Sequence, residues 1–328
     1  MNTSLSTPTL SQLIQRKPID VSRLVVKTLR EKGVKEILAY VGKRLKGLDE
    51  VVLDILSGLA VGRHIWIVGP VGCGKTTLAE TIAEVLNLDN PPYIEVACHS
   101  HMTATELTGD IDIAVALQAG LDHPLAYIPG PLVLAHGRIL ILDEINRLSP
   151  YSQAALLQAL QEHYVVIRGF RIRSDFLMIA TGNPSEYSGT YDLSEALADR
   201  MKRVEITIPK RDLLKEIILW KAAIFIKDID LDIDEKIAEV LATLAHLINK
   251  DSKIESEPSI RSCIYALATA ASKAWIKGSE EISIEDLRKE VIQNMLPLIQ
   301  GEFSSDEEKV KYLDKKFREA LLIVSEMR

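Results

Sequence analysis

The chain has 328 residues, of which 47% are hydrophobic and 26% charged, and its formal net charge is −7. This apolar fraction excludes an intrinsically disordered chain, and the length predicts two domains because a single hydrophobic core rarely grows so large. Acidic side chains (46) outnumber basic ones (39), which argues against non-specific coating of nucleic acid. The sequence shows neither a secretory signal nor an apolar run long enough to span a membrane, so we expect a cytoplasmic protein.

The first two thirds of the sequence alternate between short apolar runs and helical segments. Residues 1–20 are rich in Ser, Thr and Pro, so we expect a loose N-terminal arm. Five runs then have the composition of β-strands: HIWIV (64–68), YIEVA (93–97), RILIL (138–142), FLMIA (176–180) and RVEITI (203–208). Continuous apolar runs are typical of parallel strands that are covered on both faces. The pattern predicts an α/β fold with a doubly wound parallel sheet over residues 21–209.

The last third is different in character. Residues 210–328 contain no convincing strand, and apolar residues recur there at helical spacing. The predicted helices cover 211–227, 234–249, 259–277, 283–296 and 307–326. We therefore predict a second, smaller, all-helical domain over residues 210–328.

A phosphate-binding motif follows the first predicted strand and precedes a helix. Its residues are Gly69, Pro70, Val71, Gly72, Cys73, Gly74, Lys75, Thr76 and Thr77, in the pattern GxxxxGKT. The glycines allow backbone N–H groups to surround phosphates, Lys75 places a positive charge between the β- and γ-phosphates, and the Thr76 hydroxyl is suited to Mg²⁺. The motif predicts binding of ATP with Mg²⁺.

Two carboxylates end the third predicted strand. Asp143 and Glu144 follow the apolar run ILIL, at the edge of the sheet where open α/β folds bind ligands. We expect Asp143 to hold Mg²⁺ together with Thr76, and Glu144 to activate water as a general base. The second carboxylate favours hydrolysis by water over phosphoryl transfer to another substrate.

One stretch carries a more specific resemblance. Residues 183–200 read NPSEYSGTYDLSEALADR and are similar to the MoxR family of AAA+ ATPases, with Ser194 in place of the usual Pro. Met201 stands where the family usually has Phe. Residues 130–162 and the segment LTGDI (107–111) also match, and the resemblance extends over about residues 40–300.

The resemblance implies roles for three further residues. Asn183 corresponds to sensor 1, which orients the attacking water. Arg200 corresponds to the arginine finger, which reaches the γ-phosphate in a neighbouring subunit. Arg261 corresponds to sensor 2 of a helical lid domain, although Ile260 stands where the family usually has Pro.

The family also carries two loops that face the central pore of a ring. Residues 110–129 match its insertion, and YVVIRGFRI (164–172) matches its hairpin, with Arg168-Gly169 at the turn. Arg168, Phe170 and Arg171 are then candidate contacts with a client protein.

The resemblance implies an ATPase that hydrolyses ATP to ADP and phosphate in a homo-hexameric ring and remodels, assembles or matures client proteins. A von Willebrand factor A domain protein is the implied partner. One alternative is a nucleic-acid motor or loader on the same core, which Arg168, Arg171 and Arg173 keep open although the acidic balance does not favour it. Another is a nucleotide-gated structural subunit with negligible turnover.

Overall fold

The computed structural model describes residues 8–123, 125–183, 191–229, 231–256 and 259–326. Within these ranges the helices are α1 (Leu10–Ile14), α2 (Val21–Lys32), α3 (Val34–Gly42), α4 (Asp49–Ala60), α5 (Lys75–Leu86), α6 (Ala104–Thr108), α7 (Ile113–Ala119), α8 (Pro131–Leu134), α9 (Pro150–Glu162), α10 (Glu195–Asp199), α11 (Arg211–Phe225), α12 (Glu235–Asn249), α13 (Ile260–Ile276), α14 (Ile284–Met295) and α15 (Asp306–Glu326). The strands are β1 (His64–Val68), β2 (Tyr93–Ala97), β3 (Gly109–Ile111), β4 (Tyr127–Pro129), β5 (Ile139–Asp143), β6 (Tyr164–Ile167), β7 (Phe170–Arg173), β8 (Leu177–Gly182), β9 (Met201–Glu205), β10 (Ile254–Ser256) and β11 (Gln300–Gly301).

Five strands form one parallel sheet in the order β2-β5-β8-β1-β9. The expected doubly wound α/β fold is therefore confirmed, with strand ends within a few residues of those predicted. The register pairs Leu142 with Ala180 and Ile67 with Thr181, so β1, β5 and β8 end at the same edge of the sheet. That edge carries the phosphate motif and the acidic pair.

The centre of the sheet is buried on both faces. Residues 139–142 of β5 are all fully buried, although neighbouring residues of a strand point to opposite sides. On one face, Leu140, Leu142 and Met178 share a core with residues of α9. Helix α5 packs against β2, β5 and β8. Coverage on both faces explains why these strands read as continuous apolar runs.

Three short antiparallel strand pairs are also present among the described residues, two in the first unit and one in the second. Strands β3 and β4 enclose the insertion with α7, and β6 and β7 form the expected hairpin with Arg168-Gly169 at its turn. Both turn residues have positive φ, 48° and 88°, as two-residue hairpin turns require. The pair β10–β11 corrects the expectation that 210–328 contains no strand. These strands have three and two residues, too short for a periodic signal.

The N-terminal segment differs from the expected loose arm in its described part. Helix α1 packs against β7, and Leu10 and Leu13 are buried. Arg16 Nη1 donates to the Val133 carbonyl at 2.6 Å, and the Ile19 N–H donates to Asp175 Oδ2 at 3.0 Å. Two leucines in five residues are too few for a helical pattern to be recognised in the sequence.

Two compact units divide the chain. The first comprises Met1–Gly69 and Gly74–Ile206, and the second comprises Pro70–Cys73 and Thr207–Arg328. The second unit contains α11–α15, close to the five predicted helices, around a separate apolar core that includes Leu241, Leu267 and Phe317. Among the described residues, none of the helices combines the length and the hydropathy required to cross a lipid bilayer.

Candidate active site

The phosphate motif forms a turn between β1 and α5. Gly72 and Gly74 have φ values of 75° and 91°. Residues that carry a Cβ atom rarely adopt this left-handed backbone conformation. Gly74 is the N-cap of α5, and none of the described side chains caps the first turn of that helix. The first backbone N–H groups of α5 and its positive dipole end are therefore suited to an anion.

Lys75 lies deep in the site, with 9% of its surface exposed. Its Nζ donates to the Gly69 carbonyl at 2.9 Å and to Asn183 Oδ1 at 2.8 Å. The phosphate-loop lysine and the sensor 1 candidate are thus in direct contact, although 108 positions separate them in the sequence.

The Thr76 hydroxyl meets the acidic strand end. Its Oγ1 donates to Asp143 Oδ1 at 2.6 Å, and Thr181 Oγ1 donates to the same carboxylate oxygen at 2.5 Å. Hydroxyl and carboxylate oxygens are the ligands that Mg²⁺ prefers in proteins. The chemistry of this donor set therefore fits the magnesium ion expected from the sequence, with Thr76 and Asp143 as its protein partners.

Glu144 turns the chain at the end of β5. Its backbone is left-handed, with φ 56° and ψ 48°, and its N–H donates to Thr181 Oγ1 at 3.0 Å. Such a conformation costs on the order of 1–3 kcal/mol in a residue other than glycine and is typical of functional sites. The carboxylate forms an ion pair with Arg147, whose Nε lies 2.7 Å from Glu144 Oε2.

The buried thiol of Cys98 lies near the acidic pair, and its pKa is raised. Burial, together with the charges of Asp143 and Glu144, raises the pKa of Cys98 to about 12. The Cys98 N–H also donates to the Asp143 carbonyl at 2.9 Å. At neutral pH the thiol stays protonated and packs as an apolar group, so it does not act as a nucleophile.

Asn146 is hydrogen-bonded to Asn183, the sensor 1 candidate. Its Nδ2 donates to the Asn183 carbonyl at 3.3 Å, and its own carbonyl accepts from the Tyr191 N–H at 2.6 Å. Asn146 is 4% exposed. Asn146 is thus hydrogen-bonded to Asn183 and to Tyr191, the two described residues on either side of 184–190.

The other predicted site residues are described within the unit that contains each of them. Arg200 follows α10, and its Nη1 donates to the Ala196 carbonyl of that helix at 2.6 Å. In the second unit, a Cβ on Gly72 would lie 2.7 Å from Ser259 Cβ and 3.4 Å from Arg261 Cβ. Val71 is partly exposed and Cys73 is buried, while Thr77 lies in the first turn of α5.

A cavity of about 180 Å³ lies next to the phosphate motif in the first unit. It is lined by α3, by the first half of α4 and by the loop between them, including Val41, Leu45 and Val52. Leu45 Cδ2 would lie 2.9 Å from a Cβ on Gly74, so the cavity adjoins the start of α5.

Comparison with known proteins agrees with this geometry. The family described as "AAA domain (dynein-related subfamily)" matches residues 64–201, which include both phosphate-site motifs. Chaperone MoxR1 of Mycobacterium tuberculosis is 33% identical over 175 residues, which cover 52% of this chain and 44% of MoxR1. Residues 64–201 thus match an AAA domain, and the chain is similar to the MoxR family of AAA+ ATPases.

Other curated proteins match this chain over similar lengths. The protein YeaC of Bacillus subtilis is 34% identical over 162 residues, covering 49% of this chain and 46% of YeaC. The chain thus spans about half the length of these curated relatives. The structure of NtrX from Brucella abortus covers 94% of this chain and 70% of NtrX, with a TM-score of 0.58 and 18% identity, a likeness in fold alone.

Sequence reasoning missed four residues of this candidate site. Thr181, Asn146 and Arg147 contact the acidic pair or Asn183, and Leu45 connects the cavity to the phosphate motif. Thr181 and Asn146 carried a signal, since each is a polar residue beside a buried strand end. Leu45 carried none, because its role depends on a contact between segments 29 positions apart in the sequence.

Proposed function

We propose that the chain hydrolyses ATP to ADP and phosphate with Mg²⁺, in an oligomeric ring that remodels client proteins. The contact network of Lys75, Thr76, Asp143 and Asn183 carries the hydrolytic part of the proposal. It brings a phosphate-binding cation, a magnesium donor set and a water-orienting amide to one edge of the sheet. The cavity beside Leu45, which has both apolar and polar lining, is the proposed site of the nucleotide base.

Binding and charge stabilisation fall to the phosphate motif and its metal partners. The N–H groups at the start of α5 and the Lys75 ammonium bind the β- and γ-phosphates, and they stabilise charge that develops on the transferred group. Thr76 and Asp143 hold Mg²⁺, which supplies further neutralisation of that charge when it is bound.

Water activation falls to the opposite side of the site. Glu144 accepts a proton from the attacking water, and the Asn183 amide orients that water. The Glu144 carboxylate is paired with Arg147 through Oε2 in this structure. On the family resemblance, Arg200 stabilises the γ-phosphate held by a neighbouring subunit, and Arg261 couples the helical lid to the γ-phosphate.

Turnover by purified variants tests the hydrolytic proposal. Lys75→Ala and Glu144→Gln are each expected to lower ATP hydrolysis at least 100-fold. Lys75→Ala should do so by weakening ATP binding. Glu144→Gln should do so by lowering kcat, because the loss of a general base costs about 100-fold or more. The matched controls are Lys35→Ala and Glu162→Gln, at exposed positions of α3 and α9. Wild-type turnover that Glu144→Gln leaves unchanged would instead support the reading as a nucleotide-gated structural subunit.

Mixed assemblies test the ring and the shared site. Arg200→Ala and Lys75→Ala subunits each keep the part that the other lacks, so mixing them is expected to restore part of the activity. The loss on removing the finger is expected to be about 10³-fold or more. Normal hydrolysis by Arg200→Ala alone, with a monomeric mass in solution, would refute sharing between subunits.

The proposed partners follow from the resemblance. MoxR1 is named a chaperone, and the resemblance implies a von Willebrand factor A domain partner and protein clients for this chain. The Glu144→Gln variant should retain ATP and therefore hold its partners long enough for copurification and mass spectrometry. Recovery of nucleic acid alone would contradict a protein-remodelling function.

Contacts on the hairpin do not favour the nucleic-acid alternative. Arg168 Nε lies 3.0 Å from Asp110 Oδ1, and Arg173 Nε lies 2.8 Å from Asp175 Oδ2. The Arg171 guanidinium stacks on the Tyr164 ring at 3.8 Å. Arg168 and Arg173 are therefore paired with carboxylates, which lowers the net positive charge that the hairpin offers to a phosphate backbone.

A further inference from the structure

Thr181 lies at the end of β8, between the strand that leads into the phosphate motif and the strand that ends in the acidic pair. The register places it beside Ile67 of β1, and Leu142 of β5 lies opposite the preceding residue. Thr181 is 1% exposed. Its side chain is therefore inaccessible to bulk water and fixed by its strand.

One hydroxyl group contacts both members of the acidic pair. Thr181 Oγ1–H donates to Asp143 Oδ1 at 2.5 Å, and the same oxygen accepts the Glu144 N–H at 3.0 Å. A hydroxyl has one proton to donate and lone pairs to accept, so both bonds form at once. The orientations of the metal-binding carboxylate and of the general-base residue are thereby coupled.

The coupling acts where the backbone is strained. Glu144 adopts the left-handed conformation, which turns the chain away from β5 directly after Asp143. The hydrogen bond from Glu144 N–H to Thr181 stabilises that turn. Asp143 is also contacted by Thr76 from α5, so its carboxylate is held from two different elements.

We propose that Thr181 is a positioning residue that orients Asp143 for Mg²⁺ and holds the turn at Glu144. The inference rests on the proposed ATPase function and deepens it by assigning a role to a residue that does not touch substrate. The proposed role requires the hydroxyl of Thr181, whereas the methyl group of Thr181 only fills space. Valine, which has the same shape without the hydroxyl, and serine, which keeps the hydroxyl, therefore separate the two contributions.

The experiment compares Thr181→Val and Thr181→Ser with wild type. Three quantities are measured: the Mg²⁺ concentration for half-maximal hydrolysis, kcat, and the affinity for N-methylanthraniloyl ADP with Mg²⁺ and with EDTA. We expect Thr181→Val to weaken Mg²⁺ dependence and kcat by about 10- to 100-fold, the usual loss for a residue that orients a metal ligand. Nucleotide affinity in EDTA should be unchanged, and Thr181→Ser should behave like wild type.

A matched control removes a buried hydroxyl elsewhere. Thr243 of α12 is 4% exposed, and its Oγ1 has no hydrogen-bond partner within the described part of the chain. Thr243→Val should leave all three quantities unchanged. If Thr181→Val does not fold, Thr181→Ala against Thr181→Ser gives the same comparison, since both are smaller than threonine and only serine keeps the hydroxyl.

Two results would overturn the proposal: wild-type Mg²⁺ dependence and kcat in Thr181→Val, or equal damage in Thr181→Val and Thr181→Ser. Failure of the proposed function gives a different result. In that case wild type and Lys75→Ala would hydrolyse ATP at the same rate, or neither would hydrolyse it. In that case the Mg²⁺-dependent gain in ADP affinity still tests Thr181. The gain should be lost in Thr181→Val and kept in Thr181→Ser, and equal gains would overturn the inference.

Discussion

Acid should destabilise this protein through His64, the first residue of β1. The imidazole is buried, and its Nδ1 accepts the Met178 N–H at 3.1 Å while its ring lies 6.1 Å from that of Phe176. Burial, with a smaller contribution from the nearby His163, lowers the pKa of His64 from 6.5 to about 4. A proton on Nδ1 would also face the donor N–H of Met178, so the neutral ring is the form that fits.

The size of the effect follows from this pKa difference. Below pH 6.5 the unfolded chain takes up a proton at His64 and the folded chain does not, until the pH approaches 4. Stability is therefore complete above pH 6.5 and falls between about pH 6.5 and 4. At about 1.4 kcal/mol per pKa unit the full loss is about 3 kcal/mol, of which about 2 kcal/mol is reached at pH 5.

Urea unfolding at pH 8 and at pH 5 measures this loss. His64→Asn keeps an acceptor near the position of Nδ1 and cannot be protonated in this range. The fall in unfolding free energy from pH 8 to pH 5 should therefore be about 2 kcal/mol smaller in His64→Asn than in wild type. Other groups titrate alike in both proteins and cancel. An equal fall in both would refute the assignment of this pH dependence to His64.

Two further substitutions test packing. Leu13→Ala should release the N-terminal segment, because Leu13 is fully buried and truncating a buried leucine costs about 2–5 kcal/mol of stability. Limited proteolysis should then cleave this variant before residue 20 sooner than it cleaves the control Ile14→Ala, which changes an exposed residue. Gly130→Ala should lower the thermal midpoint by several degrees, since its Cβ would lie 2.4 Å from backbone atoms, whereas Gly42→Ala, with open space around it, should not; equal midpoints would contradict this close approach.

The sequence by itself determined the sheet and the chemistry at its edge. The strand runs, the GxxxxGKT turn and the Asp143-Glu144 pair are local patterns, because burial on both faces and a tight phosphate turn each impose residue types on consecutive positions. The MoxR resemblance was equally local. Seven residues of its most specific stretch, 184–190, lie outside the described structure, so that segment remains a prediction from sequence.

The tertiary structure decided which residues meet. The contact of Lys75 with Asn183, and that of Thr181 with Asp143, join chain segments 108 and 38 positions apart. Such contacts depend on strand order and register, which no local pattern specifies. The same is true of α1, which is too short to be recognised by periodicity and is held by burial of Leu13. The elements thus follow from nearby residues, whereas the active-site contacts follow from how the sheet brings distant strand ends to one edge.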